Sequence, residues 1–387
     1  MFLNSLRRSG GEKEAVRKHI SLYFLGSLLL LCTLSLGSAQ KIADRSTPEL
    51  LRVAQTLYGQ NECFSSRYLY QEVLQREPEN VTALAGKGQA LVCEGSFEEG
   101  VSTLKEATQL APQQGQTYVQ LASAYLKEYE SDPQQKTGRL DEALSALEEA
   151  AAAGADGAAV ANLRGVVLYR QGKLEEAKTA LQRATELGAN RAGYHLDLGR
   201  VELELGQTEA AVATLRRAVS LEPESAFGHN QLGSAYLRLG RCDDAVFELE
   251  QAATLAPDLA EVNVNAGIAN FDCDKMTKAR GYFEKVLSLE PTAFPPVYTY
   301  LARIDLTAGE FDSAVTQATK GALFPPANAE AYYWLGQTYE ARGGEGEDTE
   351  GNVTTDADKA KGAYERALVI NPSFEPAQEA LDTLTNP

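Results

Sequence analysis

Residues 226–257, AFGHNQLGSAYLRLGRCDDAVFELEQAATLAP, contain two segments with apolar residues at helical spacing, joined by a short polar turn. Large apolar side chains flank two small residues, Gly233 in the first segment and Ala245 in the second, and Pro257 follows the second segment. Two antiparallel helices can approach closely only where one face lacks side-chain bulk, and proline cannot continue a helix. The stretch therefore predicts a pair of packed antiparallel helices that ends at Pro257.

The same pattern recurs along most of the chain. Pro223, Pro257 and Pro291 follow one another at intervals of 34 residues, and Pro78 and Pro112 show the same interval. The eighth place of each unit is small: Ala54, Gly88, Ala122, Gly165, Gly199, Gly233, Gly267, Ala302 and Gly336. Large residues in the second segments are predicted to fill the space this leaves: Leu104, Leu147, Leu181, Leu215, Leu249 and Phe283. Such a period is typical of stacked helix pairs.

This pattern resembles the tetratricopeptide repeat (TPR) family, in which W-x2-L-G-x2-Y is followed by A-x3-F and then P. Leu232-Gly233 with Tyr236, and Leu335-Gly336 with Tyr339, carry the resemblance. It covers about residues 47–374 and implies an all-α fold, a right-handed TPR α-solenoid of about nine helix-turn-helix units plus a C-terminal capping helix. The units are predicted near 47–80, 81–114, 115–157, 158–191, 192–225, 226–259, 260–293, 295–328 and 329–373, with the cap at 374–385, all within one solenoid over 40–387.

The first 39 residues have the features of a targeting segment. Met1–His19 is rich in Lys and Arg, and Ile20–Gly37 then runs for 18 residues without a charge. Gly37-Ser38-Ala39 supplies the small residues of a signal peptidase site. Residues 1–39 are therefore predicted to be a cleaved signal peptide or an N-terminal membrane anchor that spans with residues 20–37. Either alternative exports the rest of the chain to the periplasm, the cell envelope or the medium.

The charge balance and the absence of motifs exclude several classes of function. The chain has 36 Lys and Arg residues against 54 Asp and Glu residues, a net charge of −18. Nucleic-acid binding is not expected, because neutralising phosphates needs clustered basic residues. No P-loop and no G-x-S-x-G motif occurs, and paired carboxylates such as Glu175-Glu176 sit where second helices start and favour the helix dipole. We therefore expect no enzyme activity, cofactor, metal or small-molecule substrate.

Two units carry insertions between their helices. The third unit has nine extra residues around Lys127–Arg139, and the last has twelve within Gly343–Asp358. The acidic residues of the second insertion do not keep the spacing of a calcium-binding loop. This insertion is therefore predicted to be a solvated flexible loop.

Four cysteines occupy related places in neighbouring units. Cys63 and Cys242 are seventeenth in the first and sixth units, and Cys93 and Cys273 lie near the same turn of the units that follow. Stacking would bring these turns together, so disulfides 63–93 and 242–273 are predicted for an exported chain. The alternative is four unpaired cysteines, some packed as small apolar side chains.

The TPR resemblance implies binding of a protein or peptide on the concave face, which the first helices line. The fifth, ninth, twelfth and thirteenth places of each unit should point to that face. The candidates are Asn162, Tyr169, Arg170, Arg200, Asn230, Arg238, Phe271, Arg303, Tyr333 and Gln337. The four arginines either recognise carboxylates of a partner or balance local acidic residues.

Two functions remain open from the sequence. The first is a non-catalytic protein-interaction scaffold of the cell envelope. The second is a regulatory or targeting subunit of an envelope enzyme, or of a secretion, pilus or polysaccharide assembly machine.

Overall fold

The computed structural model describes residues 44–325, 327–347 and 353–385. The predicted leader and anchor at 1–39 therefore lie outside the described residues. The chain divides into two compact units between Asp156 and Gly157. The third repeat ends there without the usual proline, in the sequence Gly154-Ala155-Asp156.

Helices in the described residues follow one another in pairs. The first unit contains α1 (Thr47–Gly59), α2 (Cys63–Arg76), α3 (Val81–Cys93), α4 (Phe97–Leu110), α5 (Gly115–Ser131) and α6 (Gly138–Ala152). The second unit begins with α7 (Ala158–Arg170), α8 (Leu174–Leu187), α9 (Ala192–Glu204), α10 (Thr208–Leu221), α11 (Ala226–Arg238) and α12 (Cys242–Leu255). It continues with α13 (Ala260–Asp272), α14 (Met276–Leu289), α15 (Pro296–Ala308), α16 (Phe311–Leu323), α17 (Ala329–Arg342), α18 (Asp356–Ile370) and α19 (Glu375–Thr385). The predicted all-α architecture of helix pairs with a terminal helix is confirmed.

Each pair closes around the small residue at its eighth place. A Cβ atom added to Gly165 would lie 2.5 Å from Cγ of Leu181, and one added to Gly233 would lie 2.5 Å from Cγ of Leu249. Leu181 and Leu249 are buried. The glycine thus creates the space that the leucine of the second helix fills, and this contact holds the two helices of a repeat together.

The turn inside each pair needs one residue in the left-handed backbone region. Gly240 adopts a φ of +67° in the turn of the sixth repeat. Asp274 takes the same place in the seventh repeat, with a φ of +59°, and Asn61 takes it in the first, with a φ of +63°. Glycine, asparagine and aspartate are the residues that tolerate this conformation.

Both insertions are tied to the array by a buried carboxylate. In the third repeat, Nε of Arg139 lies 2.9 Å from Oε2 of Glu128, whose side chain is 2% exposed, and Nζ of Lys136 also reaches Glu128, at 3.2 Å. In the last repeat, Nε and Nη2 of Arg342 each lie 2.7 Å from one oxygen of buried Asp356. These pairs fix the ends of the insertions against the helices.

The insertion of the last repeat is more ordered than the sequence predicted. Its two ends form an antiparallel pair of short strands, β1 (Glu345–Glu347) and β2 (Val353–Thr355), with Gly346 opposite Thr354. Hydrogen bonds from Arg342 and from the Gly344 amide hold the pKa of Asp356 down to about 2. The prediction of a flexible loop is therefore wrong for these ends, while residues 348–352 lie outside the described residues.

Candidate functional site

The first helix of each repeat in the second unit carries the predicted binding residues. Neighbouring first helices contact each other directly between α7 and α9, between α9 and α11, between α11 and α13, and between α15 and α17. We call the surface formed by α7, α9, α11, α13, α15 and α17 the first-helix face. It divides into parts with different chemistry.

Arg200, in the fifth repeat, is engaged with residues of its own chain. Its guanidinium carbon lies 5.9 Å from the ring centre of Tyr169 and 5.6 Å from that of Phe227. Nη2 of Arg200 lies 3.4 Å from Oδ1 of Asp197, and Nδ2 of Asn162 donates a hydrogen bond of 3.0 Å to the other oxygen of this carboxylate. The charge of Arg200 is therefore balanced within the protein.

Asp197 is the residue that sequence reasoning missed here. Burial raises the pKa of its carboxyl group, whereas the Asn162 hydrogen bond and the charges of Arg200 and Arg170 oppose that rise. Arg170 lies with its guanidinium carbon 5.6 Å from the ring centre of Tyr169. The predicted residues Asn162, Tyr169, Arg170 and Arg200 are thus brought together, around a carboxylate of the chain itself.

Asn230 and Arg238 link neighbouring repeats. Nδ2 of Asn265 donates a hydrogen bond of 2.9 Å to Oδ1 of Asn230, which is buried. Nη1 of Arg238 donates one of 2.9 Å to the backbone oxygen of Leu203, 35 residues earlier. Both side chains use polar atoms to hold consecutive first helices in place.

Arg303, in the eighth repeat, lies among three aromatic rings. Its guanidinium carbon is 4.5 Å from the ring centre of Phe271, 4.5 Å from that of Trp334 and 5.7 Å from that of Tyr300. Phe271 and Trp334 come from the repeats before and after it. Cation–π contacts of this kind stabilise the position of an arginine without using its hydrogen-bond donors.

Tyr333 and Gln337 line an open groove of about 580 Å³ at the junction of α17 with α19. Glu340 and Glu379 also line this groove. Beneath it, the hydroxyl of buried Tyr364 donates to Glu340 and accepts a hydrogen bond of 2.7 Å from Gln337. Burial and the neighbouring Glu340 raise the pKa of Tyr364. The floor of the groove is therefore fixed, and its rim is acidic.

The compact unit that ends at Asp156 contains a second groove, of about 600 Å³, that the sequence did not predict. Gln55, Tyr58, Gln89 and Gln120 line it, and Nε2 of Gln120 donates a hydrogen bond of 3.0 Å to Gln89. Gln55 and Gln89 hold the ninth place of their repeats, as Arg200, Arg303 and Gln337 do. Selecting the fifth, ninth, twelfth and thirteenth places of the repeats before Asp156 would therefore have found Gln55 and Gln89.

The cysteines lie where the sequence predicts pairs. The Cα atoms of Cys63 and Cys93 are 6.0 Å apart, and those of Cys242 and Cys273 are 5.6 Å apart, each pair in disulfide-bonding position. Both distances are within the range of disulfides in proteins. Each pair connects the turns of two neighbouring repeats.

Residues 44–325, 327–347 and 353–385 are the part of the chain that the structure describes. These residues contain no group of three or more His, Cys, Asp or Glu side chains that could hold a metal ion. None of the helices in the same ranges is long and apolar enough to cross a membrane.

Comparison with known proteins assigns the family. The tetratricopeptide repeat profile matches residues 130–192, 168–226, 196–260, 230–295 and 301–348, which together make up more than half of the chain. Among curated proteins, none matches the chain significantly by sequence.

Several solved structures share the fold. PilW, described as a widely conserved type IV pilus biogenesis factor, is 20% identical in sequence to this chain. The match to its crystal structure covers 58% of this chain and 98% of PilW, with a TM-score of 0.50. The APC/C heterotetramer Cut9–Hcn1 is 12% identical, covers 86% of this chain and 74% of its own, and also has a TM-score of 0.50. The pilF protein of Pseudomonas aeruginosa is 23% identical over 57% of this chain and 95% of its own, with a TM-score of 0.47. These likenesses concern the fold alone, and the profile matches show that the chain belongs to the tetratricopeptide repeat family.

Proposed function

We propose that the protein is a non-catalytic scaffold of the cell envelope that binds a partner protein or peptide on the first-helix face. Membership of the tetratricopeptide repeat family supports the role as a protein-interaction scaffold. The proposal of an envelope location is supported by the leader-like sequence of residues 1–39.

The arrangement of repeats seven to nine carries the proposal. In these repeats Arg303, Trp334, Tyr333 and Gln337 are partly exposed on one side of consecutive first helices. Arg303 and the groove beside Tyr333 offer cationic, aromatic and acidic groups within a short distance along the array. Aromatic and arginine side chains are enriched at protein interfaces. We therefore place the partner on the last three first helices, and not on the Arg200 cluster.

Capture of the partner tests the proposal. The full chain, tagged at its C-terminus and expressed in its own host, would be purified from the envelope fraction together with the proteins bound to it. Mass spectrometry should identify a specific partner for the wild type, and Tyr333→Ala should reduce its recovery at least tenfold.

A surface variant provides the matched control. Phe247 is 59% exposed, lies on the second helix of the sixth repeat, and Phe247→Ala should recover the partner as well as the wild type does. Equal loss in both variants, or a wild type that captures no specific partner, would contradict the proposal. The identity of the partner would also separate a general scaffold from a subunit of an assembly machine.

A further inference from the structure

Two arginines hold the ninth place of their repeats on the first-helix face, and their surroundings differ in one respect. Arg200 has a carboxylate partner, Asp197, three residues earlier at the sixth place. In the eighth repeat the sixth place is Tyr300, and Val264 replaces Asn162, the residue that holds Asp197. Beside Arg303 there is therefore neither a carboxylate at the sixth place nor an asparagine at the fifth place of the preceding repeat to hold one.

The guanidinium group of Arg303 is held in position but keeps its donors free. Phe271 and Trp334 contact it at 4.5 Å each. Within the described part of the chain, its side chain forms no hydrogen bond and no ion pair, and it is partly exposed. Arginine carries five N–H donors in a planar fork that matches a carboxylate. Cation–π contact with the rings uses none of these donors as a hydrogen bond, so they are available to a ligand.

One acidic residue of the chain lies nearby without satisfying Arg303. The charge of Arg303 opposes the effect of burial on the pKa of Asp272, so the two groups are close enough to interact. They do not form an ion pair within the described residues, whereas Arg200 and Asp197 do. Asp272 therefore does not occupy the hydrogen-bond donors of Arg303.

We propose that Arg303, held between Phe271 and Trp334, binds a carboxylate group of the partner peptide by a two-fold hydrogen bond, and that Arg200 does not. This inference rests on the proposed function, since it takes the partner to be a peptide or protein. The carboxylate is either an Asp or Glu side chain or the C-terminus of the partner. Because the chain carries a net charge of −18, a segment with one carboxylate suits the site better than a long acidic run.

Trp334 provides a direct measurement of this site. It is the single tryptophan of the chain, so a change in tryptophan fluorescence reports on the group that Arg303 contacts. Three eight-residue peptides of Gly and Ser would be titrated into the full chain at low salt. One has a central Asp and blocked ends, one has Asn in its place with blocked ends, and one has no Asp but a free C-terminal carboxylate.

We expect a saturable fluorescence change with at least one of the two carboxylate peptides, and none with the Asn peptide. The peptide that binds identifies the source of the carboxylate. Arg303→Gln should weaken this binding at least tenfold. Arg303→Lys keeps the charge but not the planar fork of donors, and should weaken binding of the carboxylate peptide several-fold. Circular dichroism should show that the structure of this variant is unchanged. Arg200→Gln, the matched control, should bind within twofold of the wild type.

Other results would overturn the inference. These are no saturable change with either carboxylate peptide, equal binding of the Asn peptide, wild-type affinity in both Arg303 variants, or an equal loss in Arg200→Gln. Partner capture separates this inference from the proposed function. If the wild type and Arg303→Lys recover the same amount of partner, the carboxylate site is wrong while the scaffold stands. If the wild type recovers none, the scaffold proposal itself fails.

Discussion

Arg342, Arg238 and Arg303 show how the neighbours of a guanidinium group set its role. Arg342 forms a two-fold contact with a buried carboxylate, Asp356. Arg238 donates to a backbone oxygen of the preceding repeat. Arg303 contacts aromatic rings, and within the described residues its side chain forms no hydrogen bond and no ion pair. The first two arginines stabilise the fold, and the third is the one that we propose for recognition.

The Arg342–Asp356 pair should make a measurable contribution to stability. The pKa of Asp356 is about 2 in the folded chain, against roughly 3.9 for an unperturbed aspartate. A lowered pKa stabilises the folded state above the unfolded pKa, and this stabilisation is lost as the pH falls from about 4 to about 2. It is on the order of 2 kcal/mol at neutral pH.

Asp356→Asn should lower the free energy of unfolding by about 3 kcal/mol at pH 7, because Arg342 loses its buried partner and is left with the exposed Asp312. Urea unfolding measured from pH 7 to pH 2 should show the difference from the wild type shrinking at acid pH. Asp244→Asn is the control, since Asp244 pairs with Arg241 at the surface with both side chains about half exposed. It should cost less than about 1 kcal/mol. Similar losses in both variants would contradict the assignment.

At the scale of elements, the turn between paired helices depends on one left-handed residue. Gly240→Ala should destabilise the protein by about 1–2 kcal/mol, because alanine pays the steric cost of a positive φ. Asp274→Gly, at the same place in the next repeat, should stabilise it by about 0.5 kcal/mol, since relief of that cost is partly offset by the flexibility of glycine. Thermal unfolding would measure both changes.

Gly281→Ala is the control for these turn variants. Gly281 lies inside helix α14, has open space around an added Cβ and no positive φ. Alanine there should stabilise the helix by about 0.5–1 kcal/mol. The opposite signs of Gly240→Ala and Gly281→Ala would show that backbone conformation, and not the added methyl group, causes the loss.

The sequence predicted elements better than it predicted the partners of single side chains. The contact between Gly233 and Leu249 lies within one repeat and recurs with its period, so the pattern alone shows it. The contact of Arg200 with Tyr169 and Phe227 joins three repeats, and nothing in the spacing shows which rings reach the guanidinium. The strands of the last insertion could not be predicted because their sequence has no apolar alternation.

At the scale of the whole molecule, the two cysteine pairs connect neighbouring repeats in each compact unit. Non-reducing peptide mapping of the protein isolated from its host should find the bridges 63–93 and 242–273. Each closes a loop of about 30 residues and should contribute about 3–4 kcal/mol if it is unstrained. Under oxidising conditions, Cys63→Ser and Cys242→Ser should each lower the free energy of unfolding by this amount relative to the oxidised wild type. Relative to the reduced wild type, neither variant should lose stability. Free thiols at all four positions would contradict the pairing.

The proposed leader, residues 1–39, can be tested on the protein recovered from its host. Mass spectrometry of the protein recovered from its host should give Gln40 as the first residue if signal peptidase cuts after Ala39. An intact N-terminus in the membrane fraction would favour the anchor formed by residues 20–37. Recovery of the intact chain from the cytoplasm alone would contradict export.

A bridge between adjacent repeats also sets how far the chain can be drawn out by mechanical force. Residues 242 and 273 are 31 positions apart, and an extended chain spans about 3.3–3.6 Å per residue. When the molecule is pulled at its ends, an intact bridge therefore prevents the segment between Cys242 and Cys273 from extending, which shortens the contour length by about 100 Å. In the oxidised protein, each compact unit would keep one pair of disulfide-linked repeats that resists extension. Reduction of the disulfide would allow the residues between the two cysteines to extend.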